Sequence, residues 1–206
     1  MNIPLDHLLL GVPDLDEGIA FVGRLTGVRA VVGGSHPGRG TRNALLALSD
    51  RQYLEIIAPD PGQDVVSPLS TLDSPALVQW AARSDDIQAL ADRLRAAGFD
   101  TSGPHPGSRS RPDGRVLTWK TLSLPRTFAP AGIDPIPFFI EWDATSVHPS
   151  EDSPLTGELV SVEFHHPDAD ALRQTFNRIG IDAEVREAET PRLAAAIRTA
   201  AGVVTL

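Results

Sequence analysis

The side chains that could carry chemistry in this chain are imidazoles and carboxylates. The 206 residues include six histidines and no cysteine, and Lys120 is the only lysine. Thiolate nucleophiles, cysteine-ligated zinc and iron–sulfur clusters are therefore excluded, and Schiff-base chemistry would depend on Lys120 alone. A bound metal ion would have to use histidine, aspartate and glutamate.

One histidine lies in a segment rich in glycine and proline, just before a predicted strand. His36 stands in the sequence Gly-Ser-His-Pro-Gly, and Arg42 and Asn43 follow it. An imidazole titrates near neutral pH, so His36 is a candidate catalytic residue, with Arg42 and Asn43 as candidate substrate-binding residues. Arg42 could bind an anionic group through two hydrogen bonds, or simply neutralise a carboxylate such as Glu55. For His105, in the similar sequence Gly-Pro-His-Pro-Gly, we expect only a turn.

Three tryptophans fall in predicted strands: Trp80, Trp119 and Trp142. Trp119 and Trp142 belong to the same part of the chain and could line a pocket for an apolar or aromatic ligand. These two are therefore candidate substrate-binding residues. The alternative is packing in the core, which we expect for at least two of the three.

Composition and charge favour a folded, acidic protein that acts on small molecules. Hydrophobic residues make up 41% of the chain and the net charge is -9. A chain of this length can bury a core as one large domain or two small halves. The negative charge leaves no broad basic surface for nucleic acid. No segment approaches the roughly 18 apolar residues of a membrane span, and the start lacks the pattern of a signal peptide, so we expect a cytoplasmic protein.

A strand followed by a helix and a glycine occurs three times. A strand predicted over 5–12 is followed by Asp14, with Glu17 three residues later as in a capping box. The apolar stripe of the next segment predicts a helix over 15–26, which Gly27 ends. The second copy has a strand over 77–82, a cap at Asp85 and a stop at Gly98, and the third has a strand over 159–164, a cap at Asp168 and a stop at Gly180.

Further strands after each helix complete a recurring β-α-β-β-β unit. They are predicted at 29–34, 43–48 and 52–58, at 115–124 and 137–143 after a turn-rich stretch, and at 182–186, 193–198 and 203–206, with linkers at 59–73 and 145–154. The pattern predicts an α+β fold. Two full units, over 1–60 and 74–145, would form a paired domain over 1–145, and a shorter βαβ-type unit with a hairpin would occupy 155–206.

This repeat, with LDHLLLGVPDLDEG near the start and YLEII at the end of the first unit, resembles the vicinal oxygen chelate superfamily of glyoxalases, bleomycin resistance proteins and dioxygenases. More narrowly, the chain is similar to glyoxalase-like domain proteins. GGSHPGRGTRNALL, residues 33–46, resembles their His-Pro-x-x-Gly-Thr-x-Asn stretch, and PFFIEW, residues 137–142, resembles their second-half strand. The resemblance covers most of 3–145 and implies sheets curled into an open cup that holds a metal ion or ligand. It does not fix the reaction.

The resemblance also implies which residues would bind a metal ion. Ligands in the superfamily come from the first and last strand of each unit, which here points to His7, Glu55 and Glu141. The partner of His7 in the second unit is Val78, which cannot bind a metal. Either the three residues hold one zinc, manganese, nickel or iron ion with open positions, as a catalytic site requires, or the site is degenerate.

Three functions are compatible with these residues. An enzyme would use Glu55, Glu141 and His36 in lyase, isomerase or dioxygenase chemistry, with a divalent metal polarising a carbonyl or enediolate oxygen. A binding protein would sequester a hydrophobic or anionic molecule in the same cup without a metal, and would depend on the tryptophans and Arg42 more than on His7. An interaction protein would form homodimers through open sheet edges, of which the segment 101–114 is the loosest.

Overall fold

The computed structural model describes residues 3–49, 51–111, 113–126, 128 and 133–206. Twelve strands and four α-helices lie in these ranges, as the predicted α+β class requires. The strands are β1 Leu5–Gly11, β2 Val31–His36, β3 Thr41–Leu48, β4 Gln52–Pro59, β5 Ala76–Arg83, β6 Ser102–Ser110, β7 Val116–Ser123, β8 Phe138–Trp142, β9 Leu155–His166, β10 Glu184–Glu187, β11 Arg192–Thr199 and β12 Gly202–Thr205. The helices are α1 Leu15–Thr26, α2 Ile87–Ala96, α3 Pro149–Asp152 and α4 Ala169–Ile179, and a 3₁₀ helix covers Pro68–Thr71.

The strands of the described ranges form one mixed sheet. Its order is β12-β11-β9-β3-β4-β1-β5-β8-β7-β6, with β2 beside β3 and β10 beside β9. β1 pairs in parallel with β4 and antiparallel with β5, so that β1–β4 and β5–β8 meet edge to edge. The sheet curls until β2 contacts β6, where Gly34 packs against the Ser110 carbonyl. Gly34 has a φ of +140° and a Cβ there would lie 2.5 Å from that oxygen, so the contact requires glycine.

Helices α1, α2 and α4 contribute to one hydrophobic core with the sheet. Asp14 caps the start of α1, where its carboxylate accepts hydrogen bonds from two backbone N–H groups of the first turn, and Gly27 caps the end with a φ of 76°. Leu8 and Leu54 of the sheet belong to the same core as the buried stripe of α1. Burial of each such leucine stabilises the fold by about 2 kcal/mol. No helix in the described ranges is long and apolar enough to cross a membrane.

Three local predictions need correction. The cap of α2 is Asp86 rather than Asp85, because the carboxylate of Asp86 accepts the first-turn hydrogen bond. The stretch predicted as turns contains β6, because β7 pairs with it along its length, and His105 therefore lies in a strand. β9 starts at Leu155, earlier than predicted, since its first residues pair with β3.

The C-terminal segment continues the same sheet and core. β9 pairs in parallel with β3 and antiparallel with β11. The rings of Phe164 in β9 and Phe176 in α4 lie 5.5 and 6.4 Å from the ring of Trp80 in β5. The indole N–H of Trp80 donates to the Pro135 carbonyl at 2.7 Å. Trp80 is therefore a core residue.

Candidate functional site

The curled part of the sheet, from β2 to β6, is called the cup below. Its inner face is lined by residues of β1, β4 and β8 that point away from the core. Strand alternation puts Leu8 and Leu54 in the core and His7 and Tyr53 on the inner face. The rings of His7 and Tyr53 stack with their centroids 4.3 Å apart, and the Phe138 ring meets His7 edge-on at 5.6 Å. The imidazole of His7 is thus held between two aromatic rings.

His7 also lies between two buried carboxylates. Its Nδ1 is 2.7 Å from Oδ1 of Asp6, and its Nε2 is 3.5 Å from Oε2 of Glu55. The other oxygen of Asp6 is 3.2 Å from Nε2 of His148, and the indole N–H of Trp142 donates to Oδ1 at 3.3 Å. Asp6 and His148 are completely buried. These contacts fix the His7 ring with Nε2 turned toward Glu55.

The side chain of Asn43 connects Glu55 to Arg109 and His36. Nη1 of Arg109 donates to Oδ1 of Asn43 at 2.6 Å, which fixes the amide because a guanidinium cannot accept. The amide nitrogen then faces Oε1 of Glu55 at 2.6 Å and Nε2 of His36 at 3.3 Å. Nε2 of His36 must accept this bond, so its Nδ1 carries the proton, 2.9 Å from the hydroxyl of Thr41. Oε1 of Glu55 is thereby occupied, whereas Oε2 accepts no hydrogen bond from the described residues.

The surroundings keep Glu55 ionised and His36 neutral. Burial raises the pKa of Glu55, but the neighbouring imidazoles, the Arg109 guanidinium and the Asn43 hydrogen bond together lower it below its usual value of 4.5. Burial lowers the pKa of His36 below 6.5, and the charge of Arg109 adds to this effect against the opposing attraction of Glu55. The lowered pKa of His36 agrees with its acceptor role toward Asn43.

Asp6 and Tyr53 have fixed charge states as well. Burial would raise the pKa of Asp6, but its hydrogen bonds to His148 and His7 hold that pKa far below its usual range. Burial, together with the negative charges of Glu55 and Asp6, raises the pKa of Tyr53 well above 10.0. Asp6 is therefore a carboxylate and Tyr53 a neutral phenol.

The structure corrects the role expected of Glu141. Its Oε2 accepts a hydrogen bond from the backbone N–H of Ile87 at 2.6 Å, in the first turn of α2, and its Oε1 lies 3.2 Å from Nζ of Lys120. In β8 the ring of Phe138 faces the cup, whereas Phe139 is in the core. Alternation puts Glu141 on the side of Phe139. Glu141 therefore caps a helix and does not join the acid–base groups of the cup.

The donor atoms of the cup do not form a three-ligand metal site. In the part of the chain that the structure describes, no group of three or more histidine, aspartate or glutamate side chains is arranged to hold a metal ion. Glu141 lies on the other face, and Nε2 of His36 accepts from Asn43. Nε2 of His7 and Oε2 of Glu55 then remain, fewer than the three protein ligands of a catalytic zinc site. The expected set of His7, Glu55 and Glu141 is not assembled.

The candidate substrate-binding residues fall on different parts of the sheet. Asn43 lies in the cup, but Arg42, one residue earlier in β3, has its Nη2 3.8 Å from a carboxylate oxygen of Asp14. Arg42 thus pairs with the cap of α1 and not with Glu55. Trp119 and Trp142 pack against each other, with ring centroids 5.3 Å apart. They form a wall beside Asp6, to which Trp142 donates.

Three site residues were absent from the sequence predictions: Asp6, Arg109 and His148. Asp6 precedes His7 and would point to the opposite face of a regular strand, but the pairing of β1 with β5 shifts just before His7. Arg109 lies in the stretch predicted as turns. His148 caps the short helix α3 in a predicted linker. The proline that follows His148 is typical of a helix start, but it does not indicate that the side chain of His148 is buried.

Two open clefts lie outside this cluster. One has a volume of about 440 Å³ and its lining includes Trp119 and Glu141, and the other has about 510 Å³ and its lining includes Glu141 and Trp142. His7, Glu55 and His36 line neither cleft. His7 and Glu55 are 2% and 6% exposed, so the acid–base cluster is buried and lies apart from both clefts.

Solved structures share this fold at low sequence identity. A hypothetical protein from Staphylococcus aureus is 14% identical, with 92% of this chain and 88% of that chain covered and a TM-score of 0.74. A variant of methylmalonyl-CoA epimerase from Streptomyces coelicolor, in complex with 2-nitronate-propionyl-CoA, is 17% identical over 71% of this chain and 99% of that chain, with a TM-score of 0.50. These likenesses show the fold alone.

A comparison with curated proteins gave no match. A family model does match, that of the glyoxalase-like domain, over residues 5–180. The matched range includes the whole cup as well as β9 and α4. The resemblance inferred from the sequence is confirmed: the chain belongs to the glyoxalase-like domain family, within the vicinal oxygen chelate proteins.

Proposed function

We propose that the protein binds a small molecule in the cup and exchanges a proton with it, with Glu55 as the base. The observation that supports this most directly is the unequal bonding of the Glu55 carboxylate. Asn43 occupies Oε1 at 2.6 Å, while Oε2 accepts no hydrogen bond from the described residues and lies 3.5 Å from Nε2 of His7. A buried, ionised carboxylate with one unshared oxygen suits a general base. The reaction class is an isomerase or lyase that removes a proton next to a carbonyl.

His7 is the second group beside the reacting atoms. Asp6 accepts a hydrogen bond from Nδ1–H at 2.7 Å, so Nε2 is directed at Glu55 and at a ligand bound there. When protonated, Nε2 donates to an oxygen that gains charge or returns the proton to the substrate carbon. The rings of Tyr53 and Phe138 hold the imidazole and exclude water, which strengthens these interactions.

No step of this chemistry depends on a metal ion. The charge of Glu55 is stabilised instead by groups of the chain, through the hydrogen bond from Asn43 and through the nearby Arg109 guanidinium, which donates to Asn43 at 2.6 Å. A lowered pKa means that Glu55 is in its basic form across the physiological range. Neutral His36 supports this arrangement by accepting from the amide that holds Glu55.

Binding without catalysis is the second candidate, and one observation favours it. The pKa of Glu55 is below 4.5, whereas a general base acts best when its pKa is near the working pH. In this case the cup would hold the molecule, and the same polar groups would recognise it without removing a proton.

Deuterium exchange separates the two candidates. The protein would be incubated in D₂O with methylmalonyl-CoA, which is bound in a solved relative, and with a panel of α-hydroxy ketones and thioesters. Isotope uptake would be followed by mass spectrometry in wild type, Glu55→Gln and Glu141→Gln. Uptake that is lost only in Glu55→Gln supports the base. Uptake that survives in Glu55→Gln excludes Glu55 from that role, and binding without uptake supports the second candidate.

We also propose that the cup consists of paired units over 1–60 and 74–145 and that 155–206 is a third unit packed outside it. The edge-to-edge pairing of β1 with β5 supports the first part, and the contact of Trp80 with Phe164 supports the second. The formation of homodimers through the sheet edges and a cytoplasmic location stay predictions.

A further inference from the structure

Arg109 is buried in the cup without a carboxylate partner among the described residues. The residue is 4% exposed, and the one hydrogen bond that its side chain makes to the described residues runs from Nη1 to Oδ1 of Asn43 at 2.6 Å. Its Nε is buried and has no acceptor in the described part of the chain. A buried guanidinium whose charge is not directly paired is costly to the folded state. Its position therefore calls for a reason beyond stability.

Two other arginines have a buried Nε without an acceptor, and they differ from Arg109 in one respect. Nη1 of Arg111 donates to the carboxylate of Asp152 at 2.7 Å. Nη2 of Arg42 lies 3.8 Å from the carboxylate of Asp14. Each of these two arginines thus has its own anion within the chain, whereas the guanidinium of Arg109 hydrogen-bonds, among the described residues, only to a neutral amide.

The unpartnered edge of Arg109 has the form that a carboxylate recognises. Since Nη1 is engaged with Asn43, the edge formed by Nε and Nη2 has no acceptor among the described side chains. Arg115, on the same β-hairpin, directs that edge at an anion: its Nε and Nη2 both donate to Oδ2 of Asp113, at 2.9 and 2.6 Å. Two N–H groups on one edge of a planar guanidinium match a planar carboxylate.

Gly33 in β2 has no side chain, and this leaves space for the contact between Arg109 and Asn43. A Cβ on Gly33 would lie 2.3 Å from Oδ1 of Asn43 and 2.7 Å from Nη1 of Arg109. Any other residue at this position would push the guanidinium away from the amide. Arg109 is therefore anchored at Nη1, with the other edge of its guanidinium set in place in advance of a ligand.

We propose that the cup recognises the carboxylate group of a small molecule through Nε and Nη2 of Arg109. The proposal rests on the proposed function and names its substrate class, a small carboxylate-bearing compound. Asn43 joins Arg109 to Glu55 through two hydrogen bonds of 2.6 Å each, so a carboxylate on the Nε–Nη2 edge is separated from the base by the guanidinium and one amide group.

Malonate is the probe, and malonamide is its neutral control of similar shape. Binding would be measured by calorimetry at fixed ionic strength on wild type, Arg109→Gln, Arg109→Lys and Arg115→Gln, the last as a matched control on the same hairpin. We expect malonate to bind wild type and Arg115→Gln alike, and to bind Arg109→Gln at least about tenfold more weakly. Arg109→Lys should recover only part of the affinity, because an ammonium group lacks the two-pronged edge. Malonamide should bind wild type at least about tenfold more weakly than malonate.

Several results would overturn the proposal: no malonate binding by wild type, equal affinity of wild type and Arg109→Gln, equal affinity for malonate and malonamide, or tighter binding of inorganic phosphate. Thermal unfolding checks each variant. If Arg109→Gln does not fold, the Nε–H signal of Arg109 in ¹⁵N NMR spectra of wild type decides, since it should shift with malonate and not with malonamide. Glu55→Gln should bind malonate yet fail in deuterium exchange, which separates failure of this proposal from failure of the proposed function.

Discussion

Strands β4 and β8 each end their half of the cup with a glutamate, and the two carboxylates do different work. Glu55 in β4 faces the cup and is held by Asn43, whereas Glu141 in β8 accepts the backbone N–H of Ile87 and caps α2. In β8 the ring of Phe138 faces the cup. Glu141 comes three residues later and therefore lies on the opposite face, because successive side chains of a strand alternate between faces. The halves are therefore chemically unequal: the first supplies acid–base groups, and the second supplies an aromatic wall and a buried arginine.

The largest expected effect is the difference in deuterium exchange between variants of the two glutamates. Glu55→Gln should lower the rate of substrate deuterium exchange by about 10²-fold or more, because the amide cannot accept a proton. Glu141→Gln should change that rate by less than about threefold, since Glu141 lies on the other face of the sheet. The measurement is single-turnover exchange with each folded variant. Equal losses in the two variants would mean that the halves are equivalent after all.

Buried aspartates give the second test, through stability. Asp6 in the first half is bonded to His7 and His148, and Asp6→Asn should cost about 3 kcal/mol because a buried charged network loses its centre. Asp134, before β8, is also buried, and burial raises its pKa despite hydrogen bonds to Ile136 and Arg126. Asp134→Asn removes a charge that burial disfavours, so it should cost about 1 kcal/mol or less.

Urea unfolding of both aspartate variants at pH 7 measures these free energies. Wild type and the exposed variant Asp113→Asn serve as references, since the contacts of Asp113 with the described residues are to Arg111 and Arg115 of its own turn. A loss for Asp134→Asn as large as that for Asp6→Asn would contradict the assignment of the charged network to the first half.

Much of the fold could be predicted, because local signals and strand pairing agree there. Asp14 and Gly27 bound α1 as the capping pattern predicts, and the alternation of β4 puts Glu55 opposite the core. The prediction failed where tertiary pairing decides. β6 is a strand because β7 pairs with it, and this pairing brings Arg109 into the cup. The face of the sheet on which Glu141 lies depends on which residue of β8 contacts His7. The spacing between the repeats does not determine that contact.

The pH dependence of stability gives a third, smaller effect. The lowered pKa values of Asp6 and Glu55 mean that the unfolded chain binds more protons in acid than the folded chain. Their contribution is present above the usual values of 3.8 and 4.5 and is lost as the pH falls through the folded values. The pKa of His36 is also lowered, so its contribution is lost as the pH falls below 6.5. Asp134, with a raised pKa, acts in the opposite sense, favouring the folded state below 3.8.

Unfolding free energies at a series of pH values check this assignment. Wild type should lose stability as the pH falls from 6.5, at up to about 1.4 kcal/mol per pH unit for one proton. In His36→Gln the unfolding free energy should depend less on pH just below 6.5, because glutamine still accepts a hydrogen bond from Asn43 but does not titrate. An unchanged slope just below pH 6.5 would remove His36 from the set of neutral buried groups.

The smallest expected effect concerns the role of Glu141 in the second half. Glu141→Ala removes the acceptor for the N–H of Ile87 and should cost about 1 kcal/mol, as the loss of a helix cap does. Lys120→Met removes the ion pair on the other oxygen, and since Lys120 is exposed the cost should stay below about 0.5 kcal/mol. Glu141→Gln keeps an acceptor and should fall between the two. If Lys120→Met cost as much as Glu141→Ala, the surface ion pair and not the helix cap would explain why β8 carries a glutamate outside the cup.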